Sequence, residues 1–146
     1  MDKFIIHTDG GSRGNPGTAA TGYVIADSTG RVLKEYGEYI GVKTNNEAEY
    51  GAAIAALKKL KSLVGKGKTK QARVQLFADS ELMVKQMNHE YKVANEKIQP
   101  LFLELWNLVL DFKEVTFKAV PREQNKDADR MVNETLDAQV ANKKLF

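Results

Sequence analysis

A chain of 146 residues, 42% hydrophobic and 28% charged, has ordinary globular usage and is long enough to bury one sizeable core. The absence of cysteine excludes a disulfide framework, a thiolate zinc centre and a cysteine nucleophile. The net charge of +3 is small but unevenly placed, and the apolar run Phe4–Ile6 near the start is too short for a leader or a membrane span; the expectation is a cytoplasmic monomer that does not engage a membrane.

Lys3–Asp9 reads as a strand of β-formers closed by a Gly10-Gly11 turn. Thr21–Asp27 and Arg31–Ile40 read as two more strands, joined across Ser28-Thr29-Gly30, a short hairpin signal. Thr44–Val64 predicts a helix, because Tyr50, Ala53, Ile54, Leu57, Leu60 and Val64 recur on one stripe. Lys58, Lys59, Lys61, Lys66, Lys68, Lys70 and Arg73 follow one another with no acid between them. They are either a phosphate-facing patch or a solvated helix end, and only their place relative to a site separates the two.

Arg73–Ala78 is the next strand, followed by a helix opening at Ser80. Glu96–Phe112 predicts a long helix whose start Pro100 sets back by a residue or two. Its Leu101, Leu105, Trp106 and Leu108 are assigned to the core. Glu114–Val120 is the last strand, ended by Pro121, and a final helix begins near Asn125, a good N-cap, and runs toward Gln139. The order β-β-β-α-β-α-α-β-α predicts an α/β fold, a mixed sheet with helices on its faces, as a single domain over residues 1–146.

Asp9 and Asp79 share a setting, since each follows an apolar strand and precedes a turn or helix. Sites in α/β folds gather at the carboxyl ends of strands. If the two strands are parallel neighbours, the carboxylates leave one edge a few Å apart, where like charges repel and a divalent cation removes the conflict. On the first long helix Glu49 lies in line with Ala53, Ala56 and Leu60, beside the buried stripe, and is preferred as a ligand. Glu47 falls on the opposite shoulder, where an i,i+4-type surface role suffices. In the last helix Asp129 aligns with Val132, Leu136 and Val140 and begins the inward face, whereas Asp127 suits the helix dipole. Four inward acids without a histidine or cysteine set make an oxygen-ligand site suited to Mg²⁺ or Mn²⁺. Two such ions held by four carboxylates suit in-line phosphoryl transfer.

TDGGSRGNPG, TNNEAEYGAAIAAL, ADSELMVKQM and NKDAD, in this order and at these separations, resemble type 1 ribonuclease H over essentially the whole chain. The resemblance implies the ribonuclease H-like fold, a five-stranded mixed sheet of three antiparallel strands with parallel additions and helices on both faces. It places the family's metal-binding and catalytic acids on Asp9, Glu49, Asp79 and Asp129. It implies hydrolysis of the RNA strand of an RNA–DNA hybrid with two Mg²⁺ ions, leaving 5′-phosphate and 3′-hydroxyl ends, with double-stranded RNA left open as a partner. The family's minor-groove contacts fall on Gly10, Ser12, Gly14, Asn15, Asn45 and Asn46, where 2′-hydroxyls mark RNA. Thr44 matches a residue that helps hold a DNA-strand phosphate. Asn15-Pro16-Gly17 also reads as a plain turn and Thr44 as a helix cap, and these roles are compatible.

Three departures from the familiar bacterial pattern stand out. Asn88–Gln99 passes directly into the next helix, so the basic, tryptophan-containing protrusion is missing; archaeal and some bacterial relatives share this form. That leaves residues such as Lys66–Arg73 to supply hybrid affinity, or leaves that affinity lower. A loop histidine is absent, with Arg122 and Glu123 near its place, while His7 is expected to pack within a strand and His89 to be exposed. Glu81 stands where bacterial relatives often carry glutamine. A nuclease of the same fold with another substrate, a non-catalytic hybrid-binding module and a nucleotide-phosphate binder are the alternatives. The last lacks both a P-loop ending and dinucleotide glycine spacing, and a pure binder would gain nothing from four mutually repelling acids.

Overall fold

The computed structural model describes residues 2–65 and 67–144. Strands β1 (Lys3–Gly14), β2 (Gly17–Asp27) and β3 (Val32–Lys43) form an antiparallel meander. The expected Gly10-Gly11 turn does not form. β1 continues through both glycines and pairs with β2 out to Gly14 opposite Gly17, around a turn containing the cis Asn15–Pro16 peptide. The two glycines stay extended because the partner strand supplies the ladder, which a reading of local turn chemistry leaves out. The β2–β3 hairpin forms as expected, with Asp27 Oδ1 accepting from Thr29 N–H at 2.9 Å and Arg31 N–H at 3.1 Å.

Helix α1 (Asn45–Val64) follows Thr44, and β4 (Arg73–Ala78) adds in parallel to β1. Ser80 caps the short α2 (Glu81–Met87), its hydroxyl accepting from Met83 N–H at 3.2 Å. Helix α3 (Gln99–Val109) starts three residues later than Glu96, with Pro100 in its first turn, where a missing N–H costs nothing. β5 (Glu114–Ala119) pairs in parallel with β4, and α4 (Lys126–Lys144) runs past the expected end at Gln139. The five strands lie in the order β3-β2-β1-β4-β5, the mixed sheet expected. Among the described residues no helix is long and apolar enough to cross a membrane.

The helices divide between the two faces. α1 and α3 pack together, and the stripe Tyr50, Ala53, Ile54, Leu57 and Leu60 is buried against Ile6, Val74 and Leu76 of the sheet. α4 covers the other face, where Val132 and Leu136 meet Ala20. A Cβ at Gly22 would reach 2.6 Å from the Ala128 carbonyl oxygen, and one at Gly37 2.6 Å from that of Met131. Gly22 and Gly37 are register partners, so a pair of missing side chains lets α4 sit directly on the sheet. Val140, expected on the inward face, lies on the exposed side of α4.

Trp106 corrects a further expectation. It is 39% exposed, as are Leu103 at 55% and Leu110 at 51%. At 100° per residue these three fall within one outward arc of α3, whereas Leu105 and Leu108 occupy the buried arc. Apolar residues all around a helix hide which face is inside.

Candidate active site

The pairing of β1 with β4 stops at Thr8 opposite Ala78. Asp9 and Asp79 come next on each strand and leave the same edge of the sheet. β4 ends there while β1 continues, so beyond Thr8 one edge of β1 has no strand beside it. Side chains of α1 take the place of that strand. Gly10 N–H donates to Glu49 Oε1 at 2.6 Å, and Ser12 N–H donates to Asn45 Oδ1 at 2.9 Å. A Cβ at Gly10 would overlap the Ala48 backbone, so glycine is what admits α1, and Glu49 with it, this close.

Asp9 is the register partner of Gly22, whose Cβ direction faces α4. Successive residues of a strand face opposite ways, so Asp9 approaches from the α4 side and Glu49 from the α1 side. They meet at the open edge. One carboxylate oxygen each from Asp9, Glu49 and Asp79 lie within 4.8 Å of one another. Asp129 stands outside that trio but lines the same cleft, near enough to Asp9 to help raise its pKa. Three of the four expected acids therefore converge tightly, and the fourth flanks them.

Their charges conflict. Burial, then the neighbouring Asp79 and Asp129, push the Asp9 carboxyl up to about 8. Burial, then Asp9 and Asp79, hold Glu49 well above the usual carboxylate range, opposed by the Gly10 N–H. A cluster of this kind, built only of carboxylate oxygens, fits a hard divalent cation, which would offset the repulsion and release the protons.

The cleft above the acids has a volume of about 840 Å³, and Gly10, Ser12, Asn45 and Asn46 line it. Asn15 and Thr44 instead line an adjoining hollow of about 390 Å³ with Asn95 and Lys97. Gly14 lines neither and ends β1, with φ at 92°. Asn45 Oδ1 accepts from both Ser12 N–H and Ser12 Oγ, at 2.9 and 3.0 Å, and Asn15 Oδ1 accepts from Asn45 N–H at 3.1 Å. Backbone donors thereby fix which amide atom is oxygen, and each side chain keeps an NH₂ to offer an acceptor. Thr44 and Glu47 form a capping box: Glu47 N–H donates to Thr44 Oγ1 at 3.2 Å and Thr44 N–H to Glu47 Oε1 at 3.0 Å. Glu47 thus secures its own helix start rather than filling the surface role expected.

Arg122 sits in a 3-10 turn (Arg122–Gln124), with Nε 3.8 Å from Asp79 Oδ2. Glu123 belongs to a separate hollow with His7 and Asp127. His7 stacks on Phe77 at 5.1 Å, and burial lowers its pKa against the pull of Asp127. His89 is exposed, with φ at 64°. Glu81 lies at the cleft but pairs with Lys85 at 3.3 Å. Asn125 does not cap α4 with its side chain: Nδ2 donates to the Thr8 carbonyl, and Oδ1 has no partner among the described residues.

The basic run lies away from the acids. Lys58 and Lys61 follow Glu49 on α1 by about 14 and 18 Å at helical rise. They pair with Glu104 at 2.8 Å and Asp111 at 2.7 Å. Arg73 begins β4, about 20 Å from Asp79 at strand rise. Lys66 is outside the described residues. None of the described members of the run lines the cleft that holds the acids. Residues the sequence reading passed over do line the cavities: Arg13 and Asn133 in the cleft, Asn95 and Lys97 beside Thr44. Asn133 had a signal, since it stands one turn after Asp129 on the same helix face.

A family model described as reverse transcriptase-like matches residues 7–135. The chain is similar to ribonuclease HI of Halobacterium salinarum, 36% identical over 92% of this chain and 65% of that protein. Among solved structures, LC11-RNase H1, isolated from compost by a metagenomic approach, superposes with a TM-score of 0.89 at 42% identity, covering 96% of this chain and 99% of that one. The chain belongs to the type 1 ribonuclease H family. LC11-RNase H1 has also been solved in complex with an RNA/DNA hybrid, with a TM-score of 0.88 at 40% identity over 94% of this chain and 99% of that chain. The ribonuclease H chain described here is 40% identical to the bifunctional protein Rv2228c of Mycobacterium tuberculosis over 93% of its own length, but spans only 36% of that protein.

Proposed function

We propose that this ribonuclease H domain, residues 1–146, is a Mg²⁺-dependent endonuclease that hydrolyses the RNA strand of RNA–DNA hybrids and leaves 5′-phosphate and 3′-hydroxyl ends. The observation that carries the reading is the convergence of Asp9, Glu49 and Asp79 within 4.8 Å, flanked by Asp129, at the floor of a cleft lined by backbone and amide donors. The solved hybrid complex of LC11-RNase H1 supports the choice of substrate. Asp9, Glu49, Asp79 and Asp129 would hold two Mg²⁺ ions, with Mn²⁺ as a substitute. When bound, the ions supply Lewis acidity toward water and offset the charge developing on the phosphate.

The chain's own groups set the rest. Gly10 N–H anchors the Glu49 carboxylate, so that ligand is oriented before any cation arrives. The free NH₂ groups of Asn45 and Asn15 suit acceptors along a minor-groove edge, where 2′-hydroxyls mark RNA. Thr44, Asn95 and Lys97 line a polar hollow beside this groove, which suits a phosphate of the DNA strand. The partner in this reading is a hybrid duplex.

The test is cleavage of an end-labelled hybrid with and without Mg²⁺, with Asp79→Asn beside it and double-stranded DNA and RNA as comparison substrates. Metal-dependent cutting of the RNA strand alone, lost in the variant, is expected. Full activity in Asp79→Asn, or tight hybrid binding with no cutting at saturating Mg²⁺, would overturn the assignment.

A further inference from the structure

One side chain joins the two segments that carry Asp9 and Asp129. Asn125 Nδ2 donates to the carbonyl of Thr8, the residue before Asp9, at 2.8 Å. The Asn125 carbonyl accepts from Asp129 N–H at 3.1 Å. The residue is 1% exposed. An asparagine that only started a helix would turn Oδ1 toward the N–H groups of the first turn. Here Oδ1 is buried without a partner among the described residues, as is the Thr8 hydroxyl. Buried polar groups are nearly always partnered in native structures, so the Asn125–Thr8 pair marks a place where polar chemistry is held inside the fold.

The need for a clamp follows from the layout. Asp9 lies on β1 and Asp129 at the start of α4, so their separation is set by how α4 sits on the sheet. The glycine pair at Gly22 and Gly37 lets α4 approach the sheet but supplies no side chain to hold it there. The Asn125–Thr8 bond does, one residue from Asp9 and four from Asp129.

We propose that Asn125 is a positioning residue that holds the start of α4 against β1 and so sets the separation of Asp9 and Asp129 at which a divalent cation is bound. The inference rests on the reading of the four acids as metal ligands. It assigns Asn125 no contact with substrate or metal.

Two variants test it. Asn125→Ala removes the clamp, and Asn125→Asp keeps the shape but sets an acceptor against the Thr8 carbonyl. Leu108→Ala, on α3 away from the cleft, controls for lost stability. Calorimetric binding of Mn²⁺ and Mg²⁺, hybrid binding in chelator and the metal dependence of cleavage are measured below each protein's melting temperature. Asn125→Ala should weaken metal binding about ten-fold or more and raise the metal concentration for half-maximal cleavage in step, the usual effect of losing a group that orients ligands. Hybrid affinity in chelator should stay within about two-fold, because that contact needs no metal. Leu108→Ala should move neither, although it melts lower.

Metal affinity within about two-fold of the parent in a folded Asn125→Ala would overturn the proposal. So would failure of both Asn125 variants to fold, which would make the residue structural. Asp9→Asn separates the two levels. If it too leaves metal binding intact, the ligand assignment is wrong; if it abolishes binding while the Asn125 variants do not change it, only the positioning role is lost.

Discussion

Replacing Asp9 with asparagine should make the metal-free protein more stable at pH 8. The native structure raises this carboxyl from 3.8 to about 8, so the folded chain holds a proton that the unfolded chain releases. The stability attached to that proton is present in full below about pH 4 and is lost as pH rises through about 8. The span is roughly four units at ~1.4 kcal/mol each, an upper bound near ~6 kcal/mol. Burial is the largest cause, and a buried amide carries part of that cost as well. The repulsion from Asp79 and Asp129 vanishes outright, which leaves a gain of about 2 kcal/mol at pH 8, or about 5 °C in melting temperature. Thermal unfolding in chelator at pH 8 and pH 5 reads it. The gain should appear at pH 8 and shrink toward zero at pH 5, where the parent is already protonated. Saturating Mg²⁺ should reverse the order, because only the parent then gains stability from binding. A loss of stability at pH 8, or a gain indifferent to pH, would refute the reasoning.

Gly10→Ala places a methyl group into the Ala48 backbone; we expect α1 to shift, metal binding to weaken and cleavage to fall by about ten-fold or more, with calorimetry and the hybrid assay as readouts. Trp106→Ser should cost less than about 1 kcal/mol in denaturant unfolding, whereas Leu105→Ala, fully buried, should cost about 2–5 kcal/mol; equal costs would return Trp106 to the core. Thr44→Ala removes one side of the capping box and should lower stability by about 1 kcal/mol while weakening hybrid binding in chelator. Lys58→Ala combined with Lys61→Ala should leave the dissociation constant for the hybrid within about two-fold at fixed salt, since neither side chain would neutralise a phosphate.

Much of where the acids converge was legible because side-chain direction follows from periodicity. Glu49 was separable from Glu47 by its alignment with Ala53 and Ala56, which are fully buried, and Asp129 from Asp127 by its alignment with Val132 and Leu136. Asp9 and Asp79 were legible as strand-end acids, although Asp9 ends only the pairing with β4 and not its own strand. What escaped depended on tertiary partners. The extension of β1 through Gly10 and Gly11 required β2 as a template, and the outward turn of Trp106 required knowing which side of α3 meets α1. Lys58 and Lys61 looked like part of a phosphate patch in one dimension, and only Glu104 and Asp111, more than forty residues later, showed these two engaged elsewhere. Asn125 fitted a helix cap so well that nothing in the sequence pointed to Thr8, 117 residues away.

The edge of β1 beyond Thr8 has a consequence for how copies of the chain behave in solution. An uncovered strand edge invites another strand, and proteins that leave one exposed tend to associate. Along this edge the N–H groups of Gly10 and Ser12 already donate to Glu49 and Asn45, so the ladder is closed by side chains where a second molecule would otherwise dock. The same two residues thus shape the cleft and cover the strand edge. A chain carrying both Glu49→Ala and Asn45→Ala would expose a template for edge-to-edge pairing, and would be prone to self-association at concentrations where the parent remains dispersed.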